Sequence, residues 1–285
     1  MPLKNPFALP AAILFRAWLI VVLHFVTPAA AIAETIMEKP MTREEIYASV
    51  QQRINEADLF AGSTLVLTFG KTAEIVSAYE SLIADAHHKA KSTEQVIHFG
   101  HAGVNYAFAM ASITSDETQS KGYMIAAKRM ATNVASFTWP AWQEPGITVM
   151  PQQCRDGLQF ARMSVRLAAE LELPVDKQSF TGWFLGAQLI ANGLYDEAIT
   201  SLAATRVFAQ QTDNAESIAM LDGYAAMAVI LKHKDTTEVP EAGDATRTFD
   251  AAVAKLNVID NEDAAFYAKQ LVDVRRFFER QAATK

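Results

Sequence analysis

Apolar residues recur along this chain at the three-to-four-residue spacing of helices, and hardly at all at the two-residue spacing of strands. Met41-Thr-Arg-Glu-Glu-Ile opens the first clear element, with Thr42 as N-cap and Glu45 completing a capping box. Ile46, Val50, Ile54 and Ala57 keep one face of it apolar. The next patterns predict helices over 72–89 (Ile75, Tyr79, Leu82, Ala86), 93–113 (Val96, Gly100, Val104, Ala107) and 116–137 (Ala127, Met130, Val134). Gly100, Gly103, Ala107 and Ala111 form a narrow ridge suited to close helix contact. The run Thr64–Phe69 has strand-like composition, but no second run is able to pair with it, so it reads as a buried helix segment.

The periodicity stops at Trp139-Pro-Ala-Trp-Gln-Glu-Pro-Gly-Ile-Thr-Val-Met-Pro151, where the prolines and Gly146 forbid a continuous helix. The segment is apolar, which predicts that it packs onto the helices it joins. It divides the chain into an N-terminal helical region (34–138), the connecting segment (139–151) and a C-terminal helical region (152–285). Beyond it the pattern predicts helices over 152–173, a hairpin over 177–211, a helix over 215–231, a polar loop over 232–243, and helices over 244–256 and 262–280. The last has Phe266, Leu271, Val274 and Phe278 assigned to its inner face.

The hairpin is the most informative stretch. Gly193 stands where a helix C-cap needs positive φ, and Asp196 and Glu197 fall at the N-terminal end of the next helix. Leu185, Gly186, Leu189, Gly193, Tyr195, Ala198, Leu202 and Thr205 resemble the spacing of the tetratricopeptide repeat, Thr205 replacing the usual alanine. A weaker second copy is visible at Leu221, Tyr224, Ala245, Phe249 and Ala252. The resemblance implies an all-α, right-handed array of antiparallel helical hairpins, a tetratricopeptide-like solenoid. It also implies that Phe180, Trp183, Ala187 and Ile190 occupy the family's inner, ligand-facing positions. Those positions are apolar here. Either the groove takes something hydrophobic, with Trp139 and Trp142 at its edge, or the segment 139–151 covers it.

Composition adds a compartment. Residues 1–33 carry Lys4 and Arg16, an uncharged apolar run from Ala17 and an Ala31-Ile-Ala33 site, which read as a secretory signal peptide. The alternative is an uncleaved anchor, for which the run is short and interrupted by His24 and Pro28. No later stretch is apolar enough to span a membrane. A net charge of −7 argues against nucleic acid and anionic lipid surfaces as partners. Cys154, the single cysteine, has no partner for an intramolecular disulfide, so stability is expected to rest on packing.

Candidate chemistry is sparse. His98 and His101 lie one helical turn apart and are the weak candidates for a metal site, with His87 or His88 needed as a third ligand. Packing and helix-end roles account for the same histidines. Phe69-Gly-Lys-Thr72 imitates the end of a phosphate-binding loop but has Leu65 where the first glycine belongs. Arg155 beside Cys154 is a reason to expect a lowered thiol pKa. No catalytic motif and no cofactor motif is recognised. The expected function is a non-enzymatic periplasmic scaffold with a protein or peptide partner. The alternative is an accessory component of a periplasmic transport system holding an apolar solute, similar in overall plan to the helical T component of tripartite ATP-independent transporters.

Overall fold

The computed structural model describes residues 41–234 and 240–283. Among these there are eleven α-helices and no strand: α1 (Arg43–Glu56), α2 (Leu59–Leu65), α3 (Thr72–His88), α4 (Thr93–Ile113), α5 (Glu117–Phe137), α6 (Pro151–Glu170), α7 (Val175–Ala191), α8 (Tyr195–Gln211), α9 (Ala215–Lys232), α10 (Pro240–Val258) and α11 (Glu262–Ala283). The signal peptide read at residues 1–33 lies outside the described residues. No helix among the described residues is long and apolar enough to cross a membrane.

Local chemistry sets the helix ends. Thr42 and Glu45 exchange the two capping-box bonds, Glu45 N to Thr42 Oγ1 at 3.3 Å and Thr42 N to Glu45 Oε2 at 2.7 Å. Asp58, Ser92, Asp116 and Asn214 accept from backbone N–H groups three residues on, which satisfies donors that a helix leaves unpaired. The ambiguous run 64–69 is helical: α2 passes into a 3-10 turn at Val66–Thr68, with Val66 fully buried. The polar loop expected over 232–243 is shorter than that, because Pro240 opens α10. Proline's fixed φ and missing N–H suit a first helical position.

Each helix from α3 onward packs against the next, so the chain is a helical array built in series. The odd-numbered helices also touch their next odd neighbour all the way from α1 to α11. The even-numbered row keeps comparable contact from α2 to α6 and not beyond. A row whose members stay in touch is the inside of a curve, so in the C-terminal part α5, α7, α9 and α11 form the inner row.

The hairpin α7–α8 closes as its glycines require. Gly193 has φ +73°, and the N–H groups of Gly193 and Leu194 donate to Ile190 O and Leu189 O, each at 3.0 Å. A Cβ on Gly186 would collide with the Leu202 side chain, so the helices meet at van der Waals distance only because glycine stands there.

Two clusters of buried side chains make up the core, and they meet across α6. Phe160, Ala161 and Leu167 belong to the N-terminal cluster and Leu158 to the C-terminal one, while Leu185 packs against both. On α11 the inward row is Ala264, Ala268, Leu271, Val274 and Phe278. Phe266 is not part of it: it lies off that row and is 53% exposed, which corrects its assignment to the inner face.

Candidate partner-binding face

The connecting segment folds by short-range rules. Trp139 precedes a proline and is extended, Pro140–Trp142 form one 3-10 turn, Gln143 and Gly146 adopt positive φ, and Pro151 starts α6. These turns bring Trp139 back onto the inner row. Its ring lies edge-on to Trp142 at 4.9 Å between centroids and to Trp183 at 6.2 Å, and 6.3 Å from Tyr224. Its indole N–H donates to Ala187 O at 3.2 Å, and that of Trp142 donates to Ser136 O at 3.0 Å. Such tilted and edge-to-face pairs suit the ring quadrupoles.

The sequence-expected groove residues therefore have unequal positions. Trp139, Trp183, Ala187 and Ile190 are buried, Trp142 is partly buried, and Phe180 is 46% exposed. The segment covers this part of the inner row. Phe180 extends the aromatic cluster outward, 5.8 Å from Trp183 and 5.1 Å from Phe184. Trp183 Nε1 and the Tyr224 hydroxyl have no hydrogen-bond partner in acceptable geometry, although the two side chains adjoin. Burial raises the Tyr224 hydroxyl far above its ordinary range and keeps it protonated.

A buried polar seam ties together the helices on either side of the segment. Gln188 Nε2 donates to Ala135 O at 2.6 Å, the Cys154 thiol faces Gln188 Oε1 at 3.8 Å, and Asn192 Nδ2 donates to Cys154 O at 3.2 Å. The seam joins α5, α6 and α7. Sequence reasoning missed it, although Gln188 was visible as a lone polar residue in an apolar run. Cys154 is not activated. Burial pushes its thiol up to about 11, against smaller opposing effects of Asn192 and Arg155.

The histidines do not converge. His98 Nε2 bonds Ser63 Oγ at 2.9 Å, whereas His101 packs on Phe160 with centroids 4.7 Å apart. His87 is buried and stacks on Phe137 at 4.0 Å with the rings 7° from parallel. Among the described residues no group of three or more His, Cys, Asp or Glu side chains is placed to hold a metal ion, so the His98–His101 candidate gains no third ligand.

Around Phe180 the charges are mixed. Lys177 lies one turn before it on α7 and pairs with exposed Asp176 at 3.2 Å. On α5, Lys128 has only 7% exposure, and burial first, then Lys177 and Arg129, lower its pKa. Arg129 makes a two-bond ion pair to Glu80 on α3, at 2.8 and 3.0 Å.

No family model and no curated protein matches the chain. Among solved structures, a chain described as "Computational Design of Self-Assembling Cyclic Protein Homooligomers" aligns over 92% of this chain and 96% of its own. The identity is 15% and the TM-score 0.27, a likeness too weak to carry an argument.

Proposed function

We propose that this chain is an exported, non-enzymatic scaffold that captures a protein or peptide partner on the inner row of its helical array. The observation that carries the reading is Phe180: a large aromatic side chain left half-exposed on the inner row, backed by a rigid buried aromatic cluster. Rigid aromatic anchors contribute most where packing behind them is complete. Lys177, one turn before Phe180, is exposed and held by a weak surface pair to Asp176, which a carboxylate on the partner segment can replace. The α7–α8 hairpin supports a tetratricopeptide-like reading of the array. Its Leu185–Gly186 pair, the close approach of Leu202 and the left-handed Gly193 follow that repeat's logic. The leader at 1–33 supports a periplasmic location.

The test is crosslinking capture from a periplasmic extract with the wild-type chain, Phe180→Ala and Lys177→Glu. Phe180 is half-exposed, so its truncation lowers thermal stability modestly, with circular dichroism checking that the chain stays folded, while capture is lost. Lys177→Glu weakens capture in a salt-dependent way. Capture that persists with Phe180→Ala at wild-type strength sinks this face as the site.

A further inference from the structure

A second site lies at the other end of the connecting segment. There the segment, the start of α6 and the ends of α7, α9 and α11 line a half-open cavity of about 460 Å³. That volume is within the range of small-molecule sites. Its lining is mixed: Pro140, Val149, Ile190 and Phe278 are apolar, and Arg155, Asn192 and Lys234 are polar. No aspartate or glutamate is among the described residues that line it, although the chain as a whole carries a net charge of −7. Among the described residues the charged groups lining it, Arg155 and Lys234, are both cations, which makes the local field more positive than that of the acidic chain as a whole.

Arg155 gives this field a focus. Among the described residues its bonds go to the neutral side-chain oxygen of Gln152, at 3.1 and 2.6 Å, and not to a carboxylate. The start of α6 adds little to this field, because Pro151 has no N–H and the N–H groups of Gln153 and Cys154 are bonded to Met150. The opposing end of α7 is neutralised, because Gly193 and Leu194 already donate to its last carbonyls. Lys234 has an interaction of its own, which leaves Arg155 as the charge-bearing contact.

We propose that this cavity binds a small organic anion, a carboxylate on a compact apolar body, with the carboxylate at Arg155 and the body against Val149, Ile190 and Phe278. The site is separate from the Phe180 face and does not depend on it.

The test is isothermal titration calorimetry of the full chain with octanoate and with octanamide, which has the same apolar body and no charge. Saturable one-to-one binding of octanoate is expected, with octanamide weaker by about tenfold or more, the worth of a charge-assisted hydrogen bond. Arg155→Gln, an exposed substitution that leaves the core untouched, reproduces that loss. Ala191→Phe fills the cavity and abolishes binding, with circular dichroism checking that the chain stays folded. Equal binding of the two probes, or undiminished octanoate binding by Arg155→Gln, overturns the anion assignment. Absence of saturable octanoate binding overturns the site. Phe180→Ala leaves octanoate binding unchanged, so failure here and failure of the docking face are read out separately.

Discussion

Replacing Trp139 with alanine removes the side chain that joins the connecting segment to the inner row. Trp139 is 1% exposed, touches the rings of Trp142, Trp183 and Tyr224, and donates to Ala187 O. A buried tryptophan hides about 200 Å² of surface, or about 5 kcal/mol at 25 cal/mol per Å², which is an upper value because unfolded chains are partly collapsed. The hydrogen bond adds about 1 kcal/mol. Alanine retains a little of the burial, and the segment relaxes into part of the space, so the expected loss is about 3–5 kcal/mol. Urea unfolding measures it as a lower midpoint with an unchanged slope. Trp139→Phe, which keeps a ring without the N–H donor, falls between the two. Near-ultraviolet circular dichroism should lose intensity in Trp139→Ala, because Trp183 and Tyr224 become solvated. A loss below about 1 kcal/mol, far less than such core truncations cost, with an unchanged aromatic spectrum would refute the picture of a packed cover.

Three other outcomes follow from single sites. Burial first, then His88, lowers the pKa of His87 to about 4, against Glu144, so the folded chain refuses a proton that the unfolded chain accepts. Its stabilising share is fully present above pH about 6.5 and is lost as pH falls towards about 4, reaching about 2 kcal/mol at pH about 5; urea midpoints against pH should flatten in His87→Phe, which keeps the stack on Phe137. Buried Asp85 accepts from Arg43 at 2.5 and 3.1 Å and pairs with Lys89 at 3.2 Å. Burial alone would raise its pKa, but these two cations hold the carboxyl below its usual range. Its stabilisation is therefore present above pH about 4 and lost below it, and Asp85→Asn should cost about 1.5–3 kcal/mol at neutral pH in the same unfolding assay. Gly193→Ala places a Cβ that meets nothing within 4 Å, at φ +73°. Its cost is backbone strain alone, about 1–2 kcal/mol by thermal or urea unfolding.

Much of the architecture was legible in the sequence because helices are local. Thr42 with Glu45, Ser92, Asp116 and Asn214 mark helix starts through bonds spanning three residues, and Gly193 marks a turn through its own φ. The hairpin's close packing was readable for the same reason, since Gly186 and Leu202 lie on adjacent helices. Phe266 and the loop before α10 were misread where the apolar pattern was weak or a proline admitted two readings. The polar seam was not legible, because Gln188 meets Ala135 across 53 residues and no local period records that distance.

The sequence by itself determined an all-helical chain, the position of its break at 139–151 and the set of aromatic residues near that break. Only the tertiary structure decided which of them are open. Trp139 reaches the Ala187 carbonyl 48 residues away, which buries Trp183 and Ile190 and leaves Phe180 exposed. Periodicity states which face of a helix is apolar; what covers that face depends on how a distant segment returns to it, and that is settled by contacts between elements.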